Sequence, residues 1–395
     1  MKKKVIFRSG SLRMGGLERV LIEVLQTIDK EKFDIYLVID DDCGKENIFE
    51  KDIPKDIPYF FLKPEKLIRE TEKYKEKKKN IFYKLMYNLM MEKENKVMYR
   101  NMQKILKDIG KIDVIVDFDA GASKYIEKLD IKKKIVWIHN SIPNLKKKEG
   151  KIKRFGKRLE KYDRVVAICD EMKEEIENIY PNLKGKVSRI YNPFNFERIE
   201  KLMEDERELT KEQKKMLNED YCIAISRLDV VQKDYDTLLK SFKILKDKGI
   251  EQKLYIIGDG PSKKTIEDWI KEYQLENLVF LLGRMKNPYV WLKNSNFFIH
   301  SSKFEGFGLV LVEAGYSGKT VISSNCPVGP RDILKNGKCG ILFEVGNEKE
   351  LADNVEKILK NYELKKKYEY LIKERVKEFD SKNVIQEYEK LIEEI

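Results

Sequence analysis

Residues 297–314, FFIHSSKFEGFGLVLVEA, decide the fold. Phe297–His300 is a short apolar run bounded by turn residues, the pattern of a strand buried on both faces. Two glycines, Gly306 and Gly308, then punctuate the chain, and the apolar run from Leu309 opens a helix. A strand that enters a helix through a glycine turn is one step of a parallel α/β sheet. In such a turn the amides of Gly308, Leu309 and Val310 point at an anion beyond the helix N-terminus. Glu305 falls in the loop and Glu313 about a turn into the helix. Carboxylates make little sense for phosphate itself, yet each accepts hydrogen bonds from a diol such as a ribose. The loop, with Gly306 and Phe307 between acid and amides, therefore suits the hydroxyls of a sugar nucleotide. His300, inside the strand, is assigned to packing.

The same step repeats on both sides of this stretch. Strands are expected near 4–8, 35–39, 59–62, 114–118, 135–138, 165–168 and 187–190, then near 222–226, 253–257, 279–282, 297–300, 320–323 and 341–343. Their alternation with helices of about ten or more residues predicts an α/β protein of two doubly wound, Rossmann-like domains. The first spans 1–193 and carries an insertion over about 63–111. Residues 194–218 follow Tyr191-Asn192-Pro193, are charged and poor in strand signal, and read as a hinge or linker. The second domain spans 219–380. Val384, Ile385, Tyr388 and Leu391 recur at helical spacing, so 381–395 is a C-terminal helix expected to cross back to the first domain. Doubly wound domains bind ligands at the carboxyl ends of their strands, which places the expected site in a cleft between the two.

Composition agrees with this reading. The 395 residues are 42% apolar and 10% aromatic, enough to bury two cores and to exclude global disorder. Five scattered cysteines, no CxxC pair and two histidines argue against a structural zinc site and a disulfide framework. No run approaches the roughly 18–20 apolar residues of a membrane span, and MKKKVIFRSG is too polar for a signal peptide. A soluble protein of a reducing compartment is expected, which places it in the cytoplasm.

The net charge of +12 is concentrated. Residues 63–111 hold 15 Lys/Arg against 7 Asp/Glu, and 131–158 hold 11 against 1. Such excess points to an anionic partner: nucleic acid, a phospholipid surface or a phosphorylated substrate. Within the first segment Ile81, Leu85, Leu89 and Met90 recur at helical spacing among Lys and Asn. That helix either lies on a membrane surface or packs its stripe on its own domain.

Further residues carry chemistry. Between the first strand and its helix stands SGSLRMGGLERV, 9–20, whose Gly15-Gly16 is either an anion-binding turn or a plain tight one. Arg227 and Lys233 follow the first strand of the second domain and either converge on a phosphate or are solvated loop cations. Asp117 and Asp119 are read as a strand-end pair without metal.

With Glu305 and Glu313 in an E-x7-E pattern, GDGP at 258–261, FLLGR at 280–284, NPF at 192–194, GGLERV at 15–20 and Arg227/Lys233 in order, nearly the whole chain resembles the retaining glycosyltransferases of family 4, which have the GT-B fold. The resemblance implies that Glu313 binds the ribose and that Glu305 faces the transferred sugar. It also implies that Arg227 and Lys233 neutralise the departing diphosphate, with help from the 308–310 amides and from Gly15 and Gly16. Arg284 and Met285 would seat the base, and His139 would contact the donor sugar. Arg227 and Lys233 are six positions apart where many members have five, so the loop departs from the family pattern there.

The implied activity is transfer of a hexose or N-acetylhexosamine from a UDP-sugar with retention, without metal or other cofactor. The first domain would take the acceptor. Its basic segments point to a lipid-linked glycan at the cytoplasmic face of an anionic membrane, as in surface polysaccharide or lipopolysaccharide assembly. The same chemistry on a soluble sugar, small molecule or protein is the alternative. A basic nucleic-acid-binding protein is a distant one, since it has no use for Glu305 and Glu313.

Overall fold

The computed structural model describes residues 2–395. The chain divides into two compact units: one runs through Phe194 and resumes over Ser381–Ile395, and the other is Asn195–Asp380.

Among the described residues the first unit holds a seven-stranded parallel sheet: β1 (Lys3–Ser9), β2 (Phe33–Asp41), β3 (Tyr59–Lys63), β4 (Val114–Asp117), β5 (Lys133–Ile138), β6 (Arg164–Ala167) and β7 (Val187–Arg189). Their order is β3-β2-β1-β4-β5-β6-β7. Val5, Ile6, Phe7, Val116, Val136 and Val166 are fully buried, as β-branched and aromatic residues are in a sheet covered on both faces. The chain winds from β1 outward through β2 and β3, then returns to β4 on the other side. The order thus reverses between β1 and β4, and ligands of this fold sit outside the carboxyl ends of the strands at such a point.

The second unit repeats the plan with six strands: β8 (Tyr221–Ile225), β9 (Lys253–Ile257), β10 (Val279–Gly283), β11 (Phe297–His300), β12 (Thr320–Ser324) and β13 (Ile341–Phe343), in the order β10-β9-β8-β11-β12-β13. Its reversal falls between β8 and β11, where Phe298 pairs with Ile223. The core beside it gathers Cys222, Leu254, Ile256, Phe297, Ile299 and Ile322.

The segment 194–218, expected as a hinge or linker, carries two helices, Phe196–Met203 and Lys211–Met216. Phe196, Ile199 and Met203 share one buried face, and Phe196 stacks on Tyr316 at 4.1 Å. That apolar stripe anchors the segment to the second unit. In the first unit, Ile81–Ile109 is a 29-residue helix with two separate stripes. Met90, Met98, Met102 and Ile105 are buried, whereas Ile81, Phe82, Leu85 and Leu89 are exposed. Met90 therefore belongs to the packing stripe and not with Ile81, Leu85 and Leu89.

The C-terminal helix Ser381–Glu394 completes the first unit. Tyr388 stacks on Trp137 of β5 at 4.8 Å and 17°, and Lys32 pairs with Glu389 at 3.1 Å. Ile392, not Leu391, is the last fully buried residue of its stripe. Among the described residues no helix is long and apolar enough to cross a membrane. The five cysteines are buried.

Candidate active site

Two loops meet at the reversal point of the second sheet. One leaves β8 and carries Arg227 and Lys233, and the other leaves β11 and carries Glu305. Backbone bonds stitch them together: Lys233 and Ser302 form an antiparallel bridge, Lys303 N donates to Gln232 O at 2.8 Å, and Asp234 N donates to Ser301 O at 3.0 Å. This stitching brings the Lys233 ammonium into an ion pair with the Glu305 carboxylate.

The same Glu305 oxygen, Oε1, lies 2.9 Å from His300 Nε2, which is also 3.1 Å from Ser302 Oγ. All four residues are buried or nearly so, with Glu305 6% and His300 2% exposed. Burial alone would raise the carboxyl of Glu305, but the Lys233 charge and the His300 hydrogen bond outweigh it and hold it far below the usual range. Burial and the nearby Lys233 lower His300, so its ring is neutral. With Glu305 ionised, Nε2 is the protonated nitrogen and donates. His300 is buried in the strand, as its assignment to packing expects, and its ring also makes this polar contact with Glu305, which lies five residues further along the chain.

Glycine-dependent close approaches fix both loops. A Cβ on Gly258 would lie 1.9 Å from Ser226 O, and one on Gly260 would lie 2.4 Å from Leu228 O. The GDGP turn thus packs directly against the backbone on either side of Arg227. Arg227 itself is exposed and makes no ion pair with a carboxylate among the described residues. Beyond Glu305 the chain turns through Gly308, in the left-handed region at φ 89°, into the helix Leu309–Tyr316. This leaves the amides of Leu309 and Val310 in its first turn. Pro327 O accepts from Glu305 N at 3.2 Å, so the 326–332 loop supports the turn.

Glu313 is half-buried on that helix and accepts from Tyr289 OH at 3.0 Å. Arg284 is exposed beyond the end of β10, 3.9 Å from Asp259, while Met285 receives Gln213 Nε2 at 3.9 Å. Gly306 and Phe307 lie in the loop, and Phe307 is buried with its ring edge-on to Phe379.

In the first unit, Gly15 caps the helix Gly16–Thr27 at the carboxyl end of β1. The Glu18 carboxylate folds over it, bonded to Ser11 Oγ at 3.0 Å, and burial raises its pKa. The N-terminal turn is thus partly satisfied by its own side chain. His139 follows β5 on the same edge of the sheet; its ring lies 4.8 Å from that of Phe118. Burial pushes its pKa down to about 4, and Nε2 is buried without a hydrogen-bond partner among the described residues. Asp117 and Asp119 both pair with the buried Arg8 guanidinium, which also binds Asp40.

Two family models match the chain: "Glycosyl transferases group 1" over residues 198–375 and "Glycosyltransferase Family 4" over 14–198. The chain is 32% identical, over 294 residues, to a protein of Methanocaldococcus jannaschii named as an uncharacterized glycosyltransferase; this covers 66% of the chain and 71% of that relative. It is 30% identical over 223 residues to an N-acetylgalactosamine-N,N'-diacetylbacillosaminyl-diphospho-undecaprenol 4-alpha-N-acetylgalactosaminyltransferase of Campylobacter jejuni, covering 55% of the chain and 58% of that protein's length. The fold is similar to that of Anabaena HepE, crystallised with UDP and glucose, at a TM-score of 0.76 and 15% identity over 100% of both chains.

Proposed function

Because the chain belongs to the family 4 glycosyltransferases with a GT-B fold, we propose that it transfers a hexose or N-acetylhexosamine from a UDP-sugar to a glycan acceptor with retention at the anomeric carbon. The Lys233–Glu305–His300 cluster beside the 308–310 turn carries this reading. Glu305, ionised and gripped from two sides at Oε1, has only the long 3.5 Å contact from Gln232 Nε2 on its other oxygen, which can turn toward the transferred sugar. A negative charge fixed there favours the positive charge that develops at the anomeric carbon.

Lys233 has three donors, so it can hold Glu305 and still donate to a phosphate oxygen. Arg227, exposed and unspent on any carboxylate, supplies a bidentate fork for the same diphosphate. Their charges, with the helix amides, take the role that a metal has in other transferases. His300 acts through Glu305 and is a positioning residue. Glu313 is proposed to bind the ribose, Arg284 and Met285 the base, and His139, with its unpartnered Nε2, the donor sugar.

The acceptor is proposed to be lipid-linked and met at the cytoplasmic face of a membrane. The exposed Ile81, Phe82, Leu85 and Leu89, next to Lys73, Lys75, Lys77, Lys78 and Lys79, support that reading. The Campylobacter relative is named for a diphospho-undecaprenol acceptor, and other relatives are named for capsule and poly(ribitol-phosphate) glycosylation.

The test is UDP release from a panel of UDP- and GDP-sugars, with extracted membrane lipid as acceptor and chelator in parallel reactions. Turnover with one UDP-sugar that needs the lipid, survives chelation and disappears in Glu305→Ala is expected, with the anomeric configuration read by NMR. Turnover on a soluble sugar without lipid would overturn the acceptor assignment, and no turnover or thermal shift with any UDP compound would overturn the donor assignment.

A further inference from the structure

The second basic segment has a structural counterpart that the donor chemistry leaves unused. After β4 the chain makes the short 3-10 turn Gly121–Lys124, and after β5 it makes the helices Ile142–Lys146 and Glu149–Leu159. The helix Glu149–Leu159 packs against both of the other two pieces at the carboxyl edge of the sheet, the edge that also carries His139. They bring Lys124, Lys146, Lys151 and Arg158 together.

The cluster is held in place. The Lys146 ammonium sits 4.1 Å from the centroid of the buried Phe155 ring. The helix bearing Arg158 is pinned by Tyr180, whose hydroxyl donates to Ile152 O at 2.8 Å and whose ring fills the space a Cβ on Gly156 would need, 2.5 Å away. No carboxylate lies within ion-pair distance of Lys124, Lys146, Lys151 or Arg158 among the described residues. Their neighbours behave differently: Lys63 is taken by Asp41 at 2.6 Å and Glu94 at 2.9 Å, and Lys161 by Glu127 at 2.8 Å. Partial burial and then the charge of Arg158 lower both Lys124 and Lys146; Lys63 adds to the effect on Lys124 against an opposing pull from Glu94, and Lys124 and Lys151 add to the effect on Lys146. Like charges crowded without counterions are destabilising unless an anion binds among them.

We propose that Lys124, Lys146 and Arg158 form a phosphate-binding site on the acceptor-side unit, and that it holds the phosphate or diphosphate group of an anionic acceptor. The identification of the ligand as an acceptor rests on the glycosyl-transfer reading; the anion site does not. The site is carried by a different unit from Arg227 and Lys233, so one molecule can hold a donor diphosphate and an acceptor phosphate at once.

The experiment titrates the full chain with inorganic pyrophosphate by calorimetry while UDP is kept saturating. The wild type is expected to bind. Lys146→Gln/Arg158→Gln should weaken binding by about tenfold or more, since each charged hydrogen bond contributes about 1.5–3 kcal/mol. Lys132→Gln, in the same basic segment but at the amino end of β5, should bind as the wild type does. If the double variant has an altered melting temperature, Lys124→Gln is read in its place. Undiminished binding in these variants, or loss of all pyrophosphate binding when UDP is present, overturns the site. A parallel arm uses phosphatidylglycerol vesicles: a variant defect seen only with vesicles assigns the cluster to bilayer headgroups and overturns the acceptor assignment. UDP affinity, measured on the same protein, reports separately on the donor reading.

Discussion

His300 Nε2 lies 2.9 Å from Glu305 Oε1, and that oxygen also carries the Lys233 ammonium. A buried carboxylate is therefore shared between a neutral ring on a strand and a cation on the neighbouring loop. The arrangement keeps Glu305 ionised where burial alone would neutralise it, and it leaves Oε2 with only the long contact from Gln232 Nε2 at 3.5 Å.

Removing one partner of this pair leaves the other buried and uncompensated. Lys233→Met should cost about 3–5 kcal/mol in denaturant unfolding. The double variant Lys233→Met/Glu305→Gln should recover a large part of that loss, because no charge is then stranded. Simply additive losses would show that the two side chains do not share the coupling the geometry describes.

Arg227 offers the opposite case, an exposed cation with no structural duty. Arg227→Ala should change stability by no more than about 0.5 kcal/mol, while turnover with the UDP-sugar falls on the order of 10²–10³-fold if Arg227 stabilises the departing diphosphate. A drop in melting temperature that matches the loss of turnover would count against that role.

His139 makes stability depend on acid. Its pKa is about 6.5 unfolded and about 4 folded, so between those values the unfolded chain takes up a proton that the folded chain refuses. Stability from this source is whole above pH 6.5 and declines as pH falls toward 4, by on the order of 3 kcal/mol. His139→Gln should flatten that part of the curve; an unchanged slope would place the titration elsewhere.

The exposed stripe on the helix Ile81–Ile109 predicts membrane attachment of two kinds. Replacing Ile81, Phe82 and Leu85 with Ser should weaken co-sedimentation with anionic vesicles at every salt concentration. Replacing Lys77, Lys78 and Lys79 with Gln should weaken it chiefly at low salt, by roughly 1 kcal/mol per charge. Binding to neutral and anionic vesicles alike, insensitive to salt, would remove the electrostatic part.

Much of the architecture was legible before any coordinates. The strands at 297–300, 253–257 and 341–343 have the same limits in both readings, because short apolar runs between turn residues have few other fates. In 194–218 the helices were not legible, because charge hides the three-residue stripe of Phe196, Ile199 and Met203, which becomes apolar surface only against a partner. Met90 was assigned to the wrong stripe for a related reason: helical spacing says which residues share a face, not which face meets the core. Glu305, Lys233 and Arg227 were singled out in sequence, yet the contact between Lys233 and Glu305 spans 72 positions and depends on two loops meeting where the strand order reverses.

What the sequence determined by itself was local: the alternation of strand and helix, the glycine turns, the placing of acids and cations in loops, and the crowding of positive charge into two segments. Each follows from steric and hydrophobic preferences acting within a few residues. The tertiary structure alone decided which charges found partners. It paired Asp117 and Asp119 with Arg8, joined His300 to Glu305, and left Arg227 in the open and Lys146 beside Arg158 with no ion-pair partner among the described residues. Those outcomes turn on distances of a few ångströms between residues far apart in the chain, and Coulomb and hydrogen-bond energies become decisive only once packing has set those distances.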